Sequence, residues 1–359
     1  MGGKIARTCL AVGFLLTLAT SGYPSAPSQD AITIPDEVSC EECSIVIEHF
    51  TTLRPAEGDG FFCSQSVVTA AVGDTFYAID PRCSDPIVLV FDRKGSRTAT
   101  IGGQGQGPGE LSRVRGIWTQ PDGTLYVAEP RRLNVFSAAG EFVRSTVFPR
   151  VPSGFAVMPD GSMVIAAHIT TQQRVGFPLH TVSADGTLLR SFGGNNTTFS
   201  EADAPMHSRI LAAARSPGSI WSARIRAYEI EEWQPETAAR VRRIERDAPW
   251  FDEAIQEYSG LNGARLRALR EDDEGLLWTI VNLQTVDYES DTTSGGDINE
   301  NFDTIIEVLD PRSGQLVATS RHDLFFFVWA GDFTFSVRED EDLNIIVDVW
   351  LVSLQGRQD

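Results

Sequence analysis

The sequence predicts an all-β fold, a six-bladed β-propeller whose ring is closed by an N-terminal strand completing the last blade. Three observations carry that prediction. A tight-turn glycine between two strand-like runs recurs six times. Most recurrences continue into a third strand, a polar turn and a fourth. One strand near the N-terminus lacks a neighbour, and the last repeat lacks a strand.

The turn glycines are Gly73, Gly123, Gly161, Gly218, Gly275 and Gly331. Their mean spacing of about 52 residues is near the period of propeller repeats. Hairpin turns need positive φ, which a Cβ disfavours, so glycine is the expected residue there. The flanking runs are Val67–Ala71 with Thr75–Ile79, Val114–Thr119 with Leu125–Ala128, and Phe155–Met158 with Met163–Ala167. They continue as Ile210–Ala214 with Ile220–Ala223, Leu266–Arg270 with Leu276–Val281, and Phe325–Ala330 with Phe333–Val337. Third strands follow at Ile87–Phe91, Leu133–Phe136, Leu179–Val182, Tyr228–Trp233 and Ile305–Leu309. Polar turns such as "DRKG", "SAAG" and "SADG" then lead into fourth strands. Four antiparallel strands per repeat describe propeller blades.

The ends of the chain complete the count. Blade six finishes with Ile345–Leu354, one strand short, while Ser44–Leu53 precedes blade one without a partner. Placing that strand on the outer edge of blade six closes the ring. A seven-bladed propeller with one degenerate blade and an open pair of β-sandwiches are the competing architectures. Helix-period sequence is confined to Pro249–Tyr258, read as a connection between blades four and five.

Residues 1–25 read as a secretory signal, 26–43 as a lead-in, and 44–359 as the single propeller domain. Lys4 and Arg7 precede the apolar run Leu10–Ala19, and small residues follow at Ser21, Gly22 and Ser25. That run is shorter than the roughly 20 residues a membrane span needs, and no other stretch approaches that length. The expected location is therefore periplasmic or extracellular. Loss of Lys4 and Arg7 takes the formal charge from −19 to −21. So acidic a chain repels phosphate backbones, which excludes nucleic acid as a partner.

Cys40, Cys43, Cys63 and Cys83 remain after the signal. An even count in an exported chain points to disulfides. Cys63 and Cys83 are equidistant in sequence from the Gly73 turn, so an antiparallel hairpin would bring them face to face. Cys40–Cys43 is then a structural bridge. A redox C-x-x-C wants a helix N-terminus after it, and here "SIVI" follows.

Residues Ile101–Phe136 read "IGGQGQGPGELSRVRGIWTQPDGTLYVAEPRRLNVF". This segment resembles the bacterial exported six-bladed β-propeller family with NHL-like repeats, at Gly102, Gly105, Gly107, Pro108, Gly109, Glu110, Gly123, Tyr126 and Val127. It departs at Arg113–Arg115, where proline is usual, and at Glu129, where aspartate is usual. The resemblance implies the propeller and export. It selects no activity, because relatives include binding modules, lyases and calcium-dependent lactonases.

No catalytic residue and no cofactor motif can be named from the sequence. "GGQGQGPGE" is neither a dinucleotide fingerprint nor a P-loop, and reads as a tight crossing from blade one to blade two. The most suggestive polar stretch is Asp291–Asp303, where Asp297, Asn299, Asn301 and Asp303 alternate as oxygen ligands of the kind calcium prefers. The five histidines have no metal-ligand spacing. The long insertions Gln284–Asn301 and Asn195–Ser208 are candidate binding elements. The leading expectation is a non-enzymatic binding or scaffold propeller with a protein or small-molecule partner. The alternative is a calcium-dependent hydrolase or lyase with its metal in the central channel. The apolar inner strands "VVTAAV", "GIWTQ", "FAVM", "ILAAA" and "FFFVW" count against that alternative.

Overall fold

The computed structural model describes residues 31–54, 62–84, 86–147, 152–169, 176–194, 208–251, 263–284 and 298–357. The expected signal, residues 1–25, lies outside them. Strands β1 (Ile32–Ile34) and β2 (Ser44–Leu53) precede the first blade. Blade one comprises β3 (Val68–Val72), β4 (Thr75–Ile79), β5 (Ile87–Phe91) and β6 (Arg97–Gly102). Blade two comprises β7 (Gly116–Thr119), β8 (Leu125–Glu129), β9 (Arg132–Phe136) and β10 (Phe142–Val147). Blade three comprises β11 (Gly154–Val157), β12 (Met163–Ala166), β13 (Leu179–Val182) and β14 (Leu188–Phe192).

Blade four comprises β15 (Arg209–Ala213), β16 (Ile220–Arg224), β17 (Glu229–Gln234) and β18 (Ala239–Arg246). Blade five comprises β19 (Arg265–Glu271), β20 (Leu277–Gln284), β21 (Phe302–Asp310) and β22 (Gln315–His322), with a short helix at Ile298–Asn301 before β21. Blade six comprises β23 (Trp329–Ala330), β24 (Phe333–Glu339), β25 (Ile345–Gln355) and, on its outer edge, β2. The first strands neighbour one another around the axis: β3 touches β7 and β23, and β15 touches β11 and β19. Trp118 on β7 packs on Phe155 of β11, with ring centroids 5.0 Å apart.

Apolar layers fill the spaces between blades. Between blades six and one, Phe76, Phe91, Phe335 and Val347 pack together with Leu53 of β2, all fully buried. The pairing of β2 with β25 runs from Ser44 opposite Gln355 to Leu53 opposite Val347. That fourth strand pairs the outer hydrogen-bonding edge of β25, which would otherwise stand open.

The lead-in does more than deliver the chain to β2. β1 pairs in parallel with β18, making blade four five-stranded. Val38 then bridges Leu316 on the outer strand of blade five. The segment from Ile32 to Leu53 thus runs along the outer edges of blades four, five and six. Arg246 fixes its start: the buried guanidinium donates to the carbonyl of Ile34 and to the carboxylate of Asp36.

The expected inner strand Phe325–Ala330 is a strand only at Trp329–Ala330. Upstream, side chains from the fifth-blade insertion and β21 replace ladder partners. The Phe325 N–H donates to Asn299 Oδ1 and the Phe326 N–H to Thr304 Oγ1. Pro249, Trp250 and Phe251 are helical, and the remainder of the expected helix to Tyr258 lies outside the described residues.

Both disulfides are present, Cys40–Cys43 and Cys63–Cys83. The second has a different cause from the hairpin extrapolation, because the β3–β4 ladder ends at Val68–Ile79. The Asp80 carboxylate gathers the incoming chain, accepting from the N–H groups of Cys63 (2.6 Å), Ser64 (2.5 Å) and Arg82 (2.9 Å). Cys63, Asp80 and Cys83 cluster closely enough to suggest a metal site, but both sulfurs are in the disulfide and Asp80 is occupied by these donors.

Candidate functional site

Blade two repeats the Asp80 arrangement with Glu129, at the same position at the end of the second strand. Glu129 accepts from the N–H and hydroxyl of Ser112, both at 2.7 Å, from the Arg113 N–H, and from Arg132 and Asn134. Arg132 in turn donates to the carbonyls of Gln106 and Glu110. These bonds fold "GGQGQGPGE" into a compact crossing in which the Gly107 N–H donates to the Glu110 carboxylate and Leu111 bonds Gly103. The glycine-rich motif is therefore accounted for by the crossing itself.

Burial alone would raise the Glu129 pKa, but the converging donors outweigh it and hold the group below its ordinary value. A depressed folded pKa contributes stability that is fully present above the unfolded value near 4.5 and is lost as pH falls through the folded pKa. Glu129→Gln should therefore lower stability at neutral pH by about 1.5–3 kcal/mol, the scale of hydrogen bonds to a charged group. Urea unfolding at pH 7 and pH 3.5 checks it: the gap between variant and wild type should narrow at the acid pH.

At the end of the ring carrying the first hairpin turns, blades six, one and two enclose an open cleft of about 620 Å³. Val72, Trp118, Thr119, Val328, Trp329 and Phe333 line the cleft, and the exposed carboxylates Asp74 and Asp332 stand beside it. Sequence explains how the aromatic walls are placed. Gly116 leaves room for the Trp118 ring, since a Cβ there would sit 2.5 Å from it. Thr119 anchors β7 to β3 by donating its hydroxyl to the Ala71 carbonyl at 2.6 Å. Trp329 is held by Arg270, whose guanidinium lies between the Trp278 and Trp329 rings, 4.6 and 4.8 Å from their centroids, and donates to Asp332. The arrangement offers a partly apolar, aromatic surface with two carboxylates nearby, suited to holding a molecule by stacking and polar contacts.

The residues expected to bind calcium are placed as follows. Asp297 lies outside the described residues. Asn299 uses both ends of its carboxamide on backbone, accepting from Phe325 N–H and donating to the Val337 carbonyl at 2.8 Å. Asn301 closes the short helix. Asp303 accepts from Arg321 at 2.7 Å. Of the two expected binding insertions, residues 285–297 and 195–207 lie outside the described residues. His180 is fully buried and bonded through its ring nitrogens to Ser191 and the Ala167 carbonyl, which fits a structural role.

Sequence reasoning missed one group of side chains. β19, "RLRALRE", is an inner strand carrying Arg265 and Arg267 at the opposite end from the cleft. Five inner strands are mostly apolar, and this one alternates arginine with leucine and alanine; that contrast is the signal that could have found it.

No protein-family model matches the chain, and no curated protein matches it in sequence. Solved structures do. A member of the DUF4221 family from Bacteroides vulgatus aligns with a TM-score of 0.61 at 10% identity, over 88% of this chain and 99% of that one. A Bacteroides fragilis protein inferred to be exported aligns with a TM-score of 0.56 at 9% identity, over 89% and 99%. At these identities the likeness is one of fold.

Proposed function

We propose that the chain is an exported, non-enzymatic binding propeller, periplasmic or extracellular, that holds a small molecule or a segment of a partner protein at the central cleft. The observation that carries this reading is the cleft itself. Its volume of about 620 Å³ falls in the range of ligand sites, roughly 300–1,000 Å³, and its walls are aromatic and apolar with a few polar groups.

Export is supported by the N-terminal signal pattern, by two disulfides and by the Bacteroides fragilis protein of the same fold. The resemblance of residues 101–136 to NHL-like propellers belongs with the same reading. Among the described residues no helix is long and apolar enough to cross a membrane. The mostly apolar inner strands favour binding over calcium-dependent hydrolysis with a metal in the channel, and Asn299 and Asp303 are engaged with backbone and with Arg321.

Tryptophan emission of the mature, oxidised protein tests the assignment against a panel of oligosaccharides and aryl compounds. At least one compound should change the emission saturably, and Trp118→Ala should weaken its binding about tenfold. An undiminished response in that variant would move the site elsewhere.

A further inference from the structure

At the far end of β19 from the cleft, two arginines stand without acid partners among the described residues. Arg265 opens the strand opposite Asn282. Arg267 is the extra residue of a β-bulge, since Leu266 pairs with Val281 and Ala268 with Ile280. Bulges re-aim side chains and recur beside functional sites. Arg270, at the cleft end of the same strand, is paired with Asp332; Arg265 lies about 17 Å away by strand rise. The two sites are therefore distinct.

The Arg267 guanidinium is oriented on two sides. Its Nε donates to Asn282 Oδ1 at 3.1 Å, and its Cζ lies 5.4 Å from the centroid of Phe325. Asn282 is itself fixed, donating to Thr304 Oγ1 and to the Phe326 carbonyl. The Nε of Arg265 is buried with no hydrogen-bond partner. Arg226 is brought alongside by the connection in blade four, where the Ile225 carbonyl accepts from the N–H of Leu266. Among the described residues no carboxylate forms an ion pair with Arg265 or Arg267, in a chain whose formal charge is −19. Both side chains are partly buried.

We propose that Arg265 and Arg267, with Arg226 beside them, form a receiving site for an oxyanion, a carboxylate, phosphate or sulfate group carried by a ligand. The guanidinium forks match such groups with paired hydrogen bonds. The Phe325 face offers an apolar surface for the adjoining part of the ligand. Burial, followed by repulsion from Arg265 and Arg226, pushes Arg267 down to about 10, and burial with Arg226 lowers Arg265. An anion seated there would relieve that repulsion.

The test uses the mature, oxidised chain and thermal unfolding in sodium phosphate, sulfate and citrate, each against sodium chloride at matched ionic strength. A ligand of the native state raises the midpoint by mass action. At least one oxyanion should raise it above the chloride control, and which of the three does so identifies the group preferred. Arg265→Gln and Arg267→Gln should each weaken that anion's apparent affinity tenfold or more. Their midpoints without anion should stay level or rise, because an unpartnered charge has been removed. Arg321→Gln, which breaks an exposed pair with Asp303, should keep the response. Isothermal titration with the preferred anion on Arg267→Lys, which keeps the charge and loses the fork, should give intermediate affinity. The proposal is overturned by any of three results: no oxyanion exceeding chloride, an undiminished response in both glutamine variants, or lower anion-free midpoints in both.

Discussion

Glu307→Ala should be among the most destabilising single substitutions in the protein, lowering unfolding free energy by about 3–5 kcal/mol. Glu307 and Arg246 are buried at the junction of blades four and five, with side-chain exposures of 1% and 0%. Arg246 reaches both carboxylate oxygens, at 3.1 and 2.8 Å, and the Tyr228 hydroxyl donates to the same carboxylate at 2.6 Å. Burial opposes the charge on Arg246, but Glu307 and Asp36 outweigh it and raise its pKa. Removing the carboxylate leaves that charge buried with only the half-exposed Asp36. Replacing both members of such a pair by leucine is far less damaging than removing one. Urea unfolding should therefore place Glu307→Leu/Arg246→Leu well above Glu307→Ala. A single variant within about 1 kcal/mol of wild type would show that the pair does not hold the junction.

A second large effect should follow from deleting residues 26–53, which removes both β1 and β2. The deletion strips the outer strand from blade six and exposes the long β25 edge, "IIVDVWLVSLQ". It also removes Leu53 from the layer between blades six and one, and Phe50 from its contacts with Phe76 and Phe333. The Thr52 hydroxyl no longer reaches Asp348. A long unpaired apolar edge is a template for aggregation, and the loss is comparable to a whole domain's stability of about 5–15 kcal/mol. The shortened protein should be recovered insoluble. Deleting residues 26–35 alone removes β1 and should leave a soluble protein with a lower unfolding midpoint. Size-exclusion chromatography with circular dichroism distinguishes these outcomes, and a soluble, folded product from the longer deletion would contradict the role given to β2.

The parts of this fold that could be read from sequence are those written locally. Hairpin turns carry their own glycines, so Gly73, Gly123, Gly161, Gly218, Gly275 and Gly331 mark the blades without reference to distant residues. β2 was legible because a ten-residue strand without a neighbour needs one. β1 was not, because "ITI" is three residues long and pairs in parallel across more than two hundred residues, with no turn to announce it. Cys63–Cys83 could be paired from sequence, yet its cause is the Asp80 carboxylate, which only the folded chain brings beneath residues 63 and 64. The candidate site was less legible still. Trp118, Trp329 and Phe333 look like ordinary core residues until three blades place them around one opening. Arg265 and Arg267 look like the polar half of a strand until the ring closes around them.

Binding without turnover is the central claim, and one measurement addresses it directly. The mature, oxidised protein is incubated with a panel of lactones and esters in millimolar calcium and in EDTA, while product formation and the unfolding midpoint are followed together. Conversion at the rate of buffer alone, with the same midpoint in both solutions, is the predicted result. A midpoint raised by calcium together with conversion that EDTA abolishes would contradict it, and would identify a metal-dependent hydrolase.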